Sequence, residues 1–251
     1  MSTTPETTGD AFQRAIEHWR RNAPSASEPP QTQPGYPPLT VAISRQAGAG
    51  GREIAEQLSA NLQWPIYDRE LVEQVARDSG RSEEMVESVD EQGSSFVVET
   101  LEAFIGVPTM GGADYAHRLR QTLAALGAHG KCIIVGRGAS AILPAQSTVS
   151  IRVVASISDR IARRRIDGTQ TKHETQASLQ CLDRERAQFV KRYFHKDIED
   201  PLLYDLVLNR SRLSEEACVA LCLRAVEHKR GGAVVSQASA RDAPSPDPER
   251  S

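Results

Sequence analysis

From residue 39 onward, two hydrophobic patterns alternate along the chain. Short apolar runs, Leu39–Ser44, Pro65–Tyr67, Cys132–Val135, Val149–Ala155 and Leu203–Leu208, read as strands. Between them, apolar residues recur at helical spacing. Arg52–Leu62 carries Ile54, Leu58 and Leu62 on one face, and Glu174–Tyr193 carries Leu179, Leu182, Phe189 and Tyr193. The same reasoning predicts helices over Glu70–Ser79, Ser82–Asp90, Asp114–Leu126, Ser158–Ile166 and Ser214–Val226. Strands separated by helices argue for an α/β fold with a parallel sheet covered on both faces. Unbroken runs such as Ile133-Ile134-Val135 fit strands buried on both sides. Ligands of such sheets gather at the carboxyl ends of the strands. That rule points to Ser44–Arg52, Asp68–Arg69, Gly136–Gly138 and Ser156–Arg160.

The flanks are different. Residues 1–38 are rich in Ser, Thr, Pro and Gln, with room for one short helix at Ala11–Arg21, and residues 229–251 are rich in Gly, Ala, Ser and Pro. Neither can bury enough apolar surface to fold, so both read as disordered tails around one domain over 39–228. With 39% hydrophobic and 25% charged residues, the chain can bury an ordinary globular core. A net charge of −3 argues against a nucleic-acid-binding role for the whole molecule. Any basic patch must therefore be local. The four cysteines form no C-x-x-C pair, and the six histidines are scattered without a metal-ligand spacing. No apolar run approaches the roughly 18 residues that span a bilayer. The polar start lacks a signal-peptide core, so a cytoplasmic location without a membrane partner is expected.

The first strand runs into Arg45-Gln46-Ala47-Gly48-Ala49-Gly50-Gly51-Arg52, after which a helix begins. Strand, glycine-rich turn and helix form the setting in which backbone N–H groups and a helix N-terminus hold a phosphate. A plain tight turn fits the segment equally well. The strict pattern G-x-x-x-x-G-K-[ST] is not met. Aligned on Gly50, Arg45 stands where the first glycine belongs, Gly51 where the lysine belongs and Arg52 where the hydroxyl residue belongs. The candidate nucleotide-binding residues are Arg45, Gly48, Ala49, Gly50, Gly51, Arg52 and Glu53. Arg52 or Arg45 could supply the missing cation. Glu53 could ligate Mg²⁺, which accepts carboxylates readily, or could repel phosphate.

Further segments follow in order. They are Leu62-Gln63-Trp64-Pro65-Ile66-Tyr67-Asp68, Ile133-Ile134-Val135-Gly136-Arg137-Gly138, Asp159-Arg160-Ile161-Ala162-Arg163-Arg164, Asp183-Arg184-Glu185-Arg186 and Tyr204-Asp205-Leu206-Val207-Leu208-Asn209. Together with Ser44-Arg45-Gln46 and Gly50-Gly51-Arg52-Glu53-Ile54-Ala55, they resemble the cytidylate kinase-like family, divergent relatives of cytidylate kinase among the P-loop nucleoside monophosphate kinases. The resemblance runs from about Leu39 to Val226. It implies a P-loop NTPase-like, five-stranded parallel sheet with helices on both faces and a helical lid and acceptor insert. It also implies ATP and Mg²⁺ as cofactors and a small nucleotide as substrate. By resemblance, Asp68, Arg69, Arg137, Asp183 and Arg186 bind the acceptor. Arg160 and Arg164 (on one helix face with Arg163) act with Arg52 on the transferring group, and Glu53 and Asp68 are the metal candidates. The family's Asp before the Gly-Arg segment is Val135 here. Two readings result: a phosphotransferase that moves the ATP γ-phosphate to a CMP- or dCMP-like acceptor or another small molecule, and a nucleotide-binding sensor or regulator without transfer. An RNA-binding module built on the arginine cluster is disfavoured by the net charge and by the few aromatic residues in that cluster.

Overall fold

The computed structural model describes residues 38–68, 72, 113–164 and 171–241. The helices predicted at Glu70–Ser79 and Ser82–Asp90, the short helix at Ala11–Arg21 and residue Arg69 lie outside the described residues. Five strands, β1 (Thr40–Arg45), β2 (Ile66–Tyr67), β3 (Ile133–Val135), β4 (Thr148–Val154) and β5 (Leu206–Asn209), make one sheet in the order β2-β3-β1-β4-β5. Every pairing is parallel, with Ile43 opposite Val135 on one side and Ile151 on the other. The sheet is therefore the five-stranded parallel one expected, and β1 lies at its centre.

The helices are α1 (Gly51–Leu62), α2 (Ala113–His129), α3 (Ala139–Ile142), α4 (Ile157–Arg164), α5 (Lys172–Phe194) and α6 (Glu215–Arg241). Alternate residues of the strands feed two separate cores. Val41, Ile43, Ile133, Val135 and Ile151 pack with Ile54 and Leu58 of α1 and with Cys218, Cys222 and Val226 of α6. Ala42 and Ile134 face the other way, against Leu119 and Leu123 of α2 and Val190 and Phe194 of α5. Burial on both faces is why these strands read as unbroken apolar runs.

Three differences from the sequence reading have local causes. The α5 helix begins at Lys172 because Thr171 and Glu174 form a reciprocal capping box: the Glu174 amide donates to Thr171 Oγ1 (3.2 Å) and the Thr171 amide to Glu174 Oε2 (2.8 Å). The last strand begins at Leu206 because Pro201–Leu203 forms a 3₁₀ turn, capped where the Leu202 amide donates to Asp200 Oδ1 at 2.9 Å. Helix α6 continues to Arg241, so the tail placed from residue 229 is helical over its first part. Ala233, Ala238 and Ala240 favour helix enough to extend an established one, despite the polar composition around them. No helix among the described residues is long and apolar enough to cross a membrane.

Cys132, Cys218 and Cys222 are buried, and Cys181 is exposed on α5. Burial pushes the thiols of Cys132 and Cys222 up to about 12 and raises that of Cys218. Of the four thiols, only that of Cys181 is open to a reagent in solution. Treating the folded chain with a maleimide at pH 8 should modify one thiol per chain, mapped to Cys181 by peptide mass, with the other three reacting only in denaturant. Rapid labelling of Cys132 in the folded chain would contradict this packing.

Candidate active site at the carboxyl end of the sheet

The loop after β1 turns through left-handed backbone at Gly48 (φ 74°) and Gly50 (φ 86°), and Gly50 is the residue before α1. An L-residue at Gly50 would be strained, and its Cβ would sit 3.2 Å from Arg210 Nε. The first N–H groups of α1 have no partner within the helix and carry its positive end. The loop is braced from behind. Asp183 Oδ1 accepts from the Ala47 amide (2.7 Å), Asp183 Oδ2 pairs with Arg160 Nη1, and that guanidinium also donates to the Ala47 carbonyl at 3.3 Å. Gln46 ties the loop to β4: its amide donates to the Val153 carbonyl (2.9 Å), and its Oε1 accepts from the Ala155 amide (3.1 Å).

Beside the loop lies a cavity of about 190 Å³ lined by Arg45, Arg137, Arg186, Glu185, Phe189 and Tyr204, among others. Arg137 stands between Gly136 and Gly138, all three with positive φ, at the carboxyl end of β3. Its guanidinium lies 4.7 Å above the Phe189 ring, a cation–π contact that holds the charge toward the cavity. Arg186 reaches across from α5 and donates from Nη1 to the Arg45 carbonyl at 3.0 Å. The floor is a polar chain. Buried Arg152 pairs with Glu199 and donates to Ser44 Oγ at 2.8 Å. Tyr204 is hydrogen-bonded to Ser44 Oγ (3.3 Å) and donates to the Ile198 carbonyl (2.8 Å), and burial raises its phenol.

The sequence-predicted residues are distributed unevenly. Arg45, Arg137 and Arg186 converge on the cavity. Gly48, Ala49, Gly50 and Gly51 form the loop and the first residue of α1. Asp183 braces the loop and is absent from the cavity lining. The face shared by Arg160, Arg163 and Arg164 is split three ways. Arg160 is 7% exposed and locked to Asp183, Arg163 is half-buried and donates to the Arg210 carbonyl (2.8 Å), and Arg164 is exposed. Arg52 and Glu53 are exposed on α1, where Arg52 pairs with Glu56 at 2.9 Å. Asp68 follows β2, two strands from β1.

Three residues were not singled out from the sequence. Arg152 interrupts the apolar run of β4, and that interruption was the available signal. Arg210 follows the last strand at its carboxyl end, the position the ligand rule favours. Phe189 was read only as an inward-facing residue. The Nε atoms of Arg160 and Arg210 are buried without an acceptor among the described residues, so the loop lies between two incompletely paired guanidiniums. A glycine-rich loop that opens a helix between two such cations suits a polyphosphate.

Removing Asp183 would leave the Arg160 charge buried and unpaired. Asp183→Ala should cost about 3 kcal/mol in urea unfolding, and Asp183→Asn, which keeps an acceptor for the Ala47 amide, should cost less. Equal, sub-kilocalorie effects of both would show that the brace carries no weight.

Known proteins resemble this chain in family and in fold. A model described as the cytidylate kinase-like family matches residues 40–212. An uncharacterized protein from Eubacterium ventriosum ATCC 27560 shares the fold at 18% identity, with a TM-score of 0.57 over 75% of this chain and 98% of that one. Shikimate kinase from Bacteroides thetaiotaomicron aligns at 14% identity and a TM-score of 0.40, again over 75% of this chain and 98% of that one. No curated protein matches the chain. With the family match spanning β1 to the turn after β5, the central strand and glycine loop included, the chain belongs to the cytidylate kinase-like family and has its kinase-like, nucleotide-binding P-loop fold.

Proposed function

We propose that the protein is a phosphotransferase that holds ATP on the glycine loop and passes its γ-phosphoryl group to a nucleoside monophosphate, CMP- or dCMP-like, or to another small phosphate-bearing acceptor in the adjoining cavity. The observation that carries this reading is the convergence of Arg45, Arg137 and Arg186 on one cavity beside the loop. Phosphoryl transfer is chiefly positioning and charge neutralisation. Three guanidiniums around a small volume supply the charge, and the Phe189 contact and the Arg45 carbonyl keep two of them aimed.

In this reading Arg137 and Arg186 grip the acceptor's phosphate, and Glu185 receives a donor group elsewhere on it. Arg164, exposed on the last turn of α4, swings over the transferring group. Arg160 positions the loop through Asp183 and makes no contact with substrate. Magnesium, bound with the nucleotide, would add neutralising charge on the phosphate oxygens. Among the described residues no three His, Cys, Asp or Glu side chains form a metal cage. Such an ion would therefore take most of its oxygens from phosphate and water, with Glu53 in the first turn of α1 as the nearby carboxylate.

The test is transfer from labelled Mg·ATP to a panel of CMP, dCMP, UMP, AMP and GMP. Transfer to one acceptor is expected, falling at least about a hundredfold in Arg137→Ala and Arg186→Ala. ATP binding without transfer to any acceptor would favour the nucleotide sensor, the reading suggested by the absent loop lysine.

A further inference from the structure

We infer that Arg45 supplies the cation that meets the γ-phosphate, delivered from the end of a strand instead of from the start of a helix. The inference rests on the kinase reading and adds which side chain carries this charge and why Gly51 is a glycine.

Arg45 is the last residue of β1, and its backbone is fixed by pairing with Val153. Its side chain leaves the sheet across the first residue of α1. A Cβ built on Gly51 would lie 2.7 Å from Arg45 Cβ and 2.9 Å from Cγ, closer than real Cβ atoms come. The third atom near that point is Arg45 Cδ, at 3.7 Å. Gly51 is not among the residues with positive φ. Backbone conformation therefore does not demand glycine there. What excludes a side chain at position 51 is the stem of Arg45. A lysine at that position would start inside this stem, so the two ways of supplying the charge exclude each other sterically.

The head of Arg45 continues to the end of β3. A Cβ on Gly136 would collide with Nη1 and lie 3.2 Å from Cζ. The guanidinium thus lies against the backbone next to Arg137 and forms part of the cavity wall, while the stem abuts the helix that opens the loop. A phosphate in the cavity would face this group, whose stem lies over the first residue of the helix that follows the loop. Arg186 reinforces the placement by donating to the Arg45 carbonyl at 3.0 Å.

The experiment combines a stability cycle with nucleotide binding. In the wild type, Gly51→Ala should lower the unfolding midpoint. In the Arg45→Gly background the same change should be neutral or stabilising, because the Cβ and Cγ that clash are both gone. Equal effects in both backgrounds would overturn the steric part. For binding, titrations with Mg·ATP and Mg·ADP follow each variant. Arg45→Ala should weaken ATP about tenfold to a hundredfold and ADP less than threefold, as expected for a lost charge-assisted contact to the terminal phosphate. Should Arg45→Ala fail to fold, Arg45→Met keeps the stem over Gly51 and carries the same expectation. Equal losses for ATP and ADP, or none, would overturn the charge role while leaving the kinase reading standing. A wild-type chain that binds neither nucleotide would remove the kinase reading and this inference with it.

Discussion

Asp183 accepts from the Ala47 amide with one carboxylate oxygen and pairs with buried Arg160 through the other, and by these contacts α4 and α5 grip the loop that follows β1. A run of small and glycine residues has little means of fixing its own shape, since glycine loses the most conformational freedom on ordering. Here the order is imposed from outside by an ion pair. Such a pair is costly to desolvate, and breaking it is worse still, because one charge then stays buried alone. The brace is thus weak evidence for stability and stronger evidence for a loop that must hold one conformation.

The central place of β1 gives that conformation its consequences. The strand is flanked by β3 and β4, so the loop after it meets the ends of both: Gln46 binds the end of β4, and Arg45 reaches the end of β3. The cavity forms where these ends and α5 meet. A chain of net charge −3 thereby concentrates cations at a single end of the sheet. With so small a net charge, any attraction for a polyanion would act locally, at the cavity lined by Arg45, Arg137 and Arg186, where the surrounding protein raises the strength of each charge.

Much of this was legible in the sequence, and what was not has a physical reason. Strand positions were visible because burial on both faces leaves unbroken apolar runs, as in Ile133-Ile134-Val135. The loop was visible because strand, glycines and helix occur in order. The start of α5 was written in Thr171 and Glu174, a capping pair that hydrophobic periodicity passes over. The fates of Arg160, Arg163 and Arg164 were not legible. Helical spacing puts them on one face, but which of them is buried depends on what α5 and the turn after β5 bring to that face. Asp183 and Arg186 sit three residues apart on α5 and serve different ends, one holding the loop and the other lining the cavity. The role of Gly51 was equally hidden, since a missing lysine reads as a loss until the path of Arg45 is known.

The central claim is that the loop between β1 and α1 is a phosphate site. The most direct test is a crystal structure with a non-hydrolysable ATP analogue and Mg²⁺. The account predicts the triphosphate lying on the loop at residues 48–52, with the Arg45 guanidinium at the terminal phosphate and the Asp183–Arg160 pair intact. A nucleotide bound elsewhere, with the loop empty and unchanged, would contradict it.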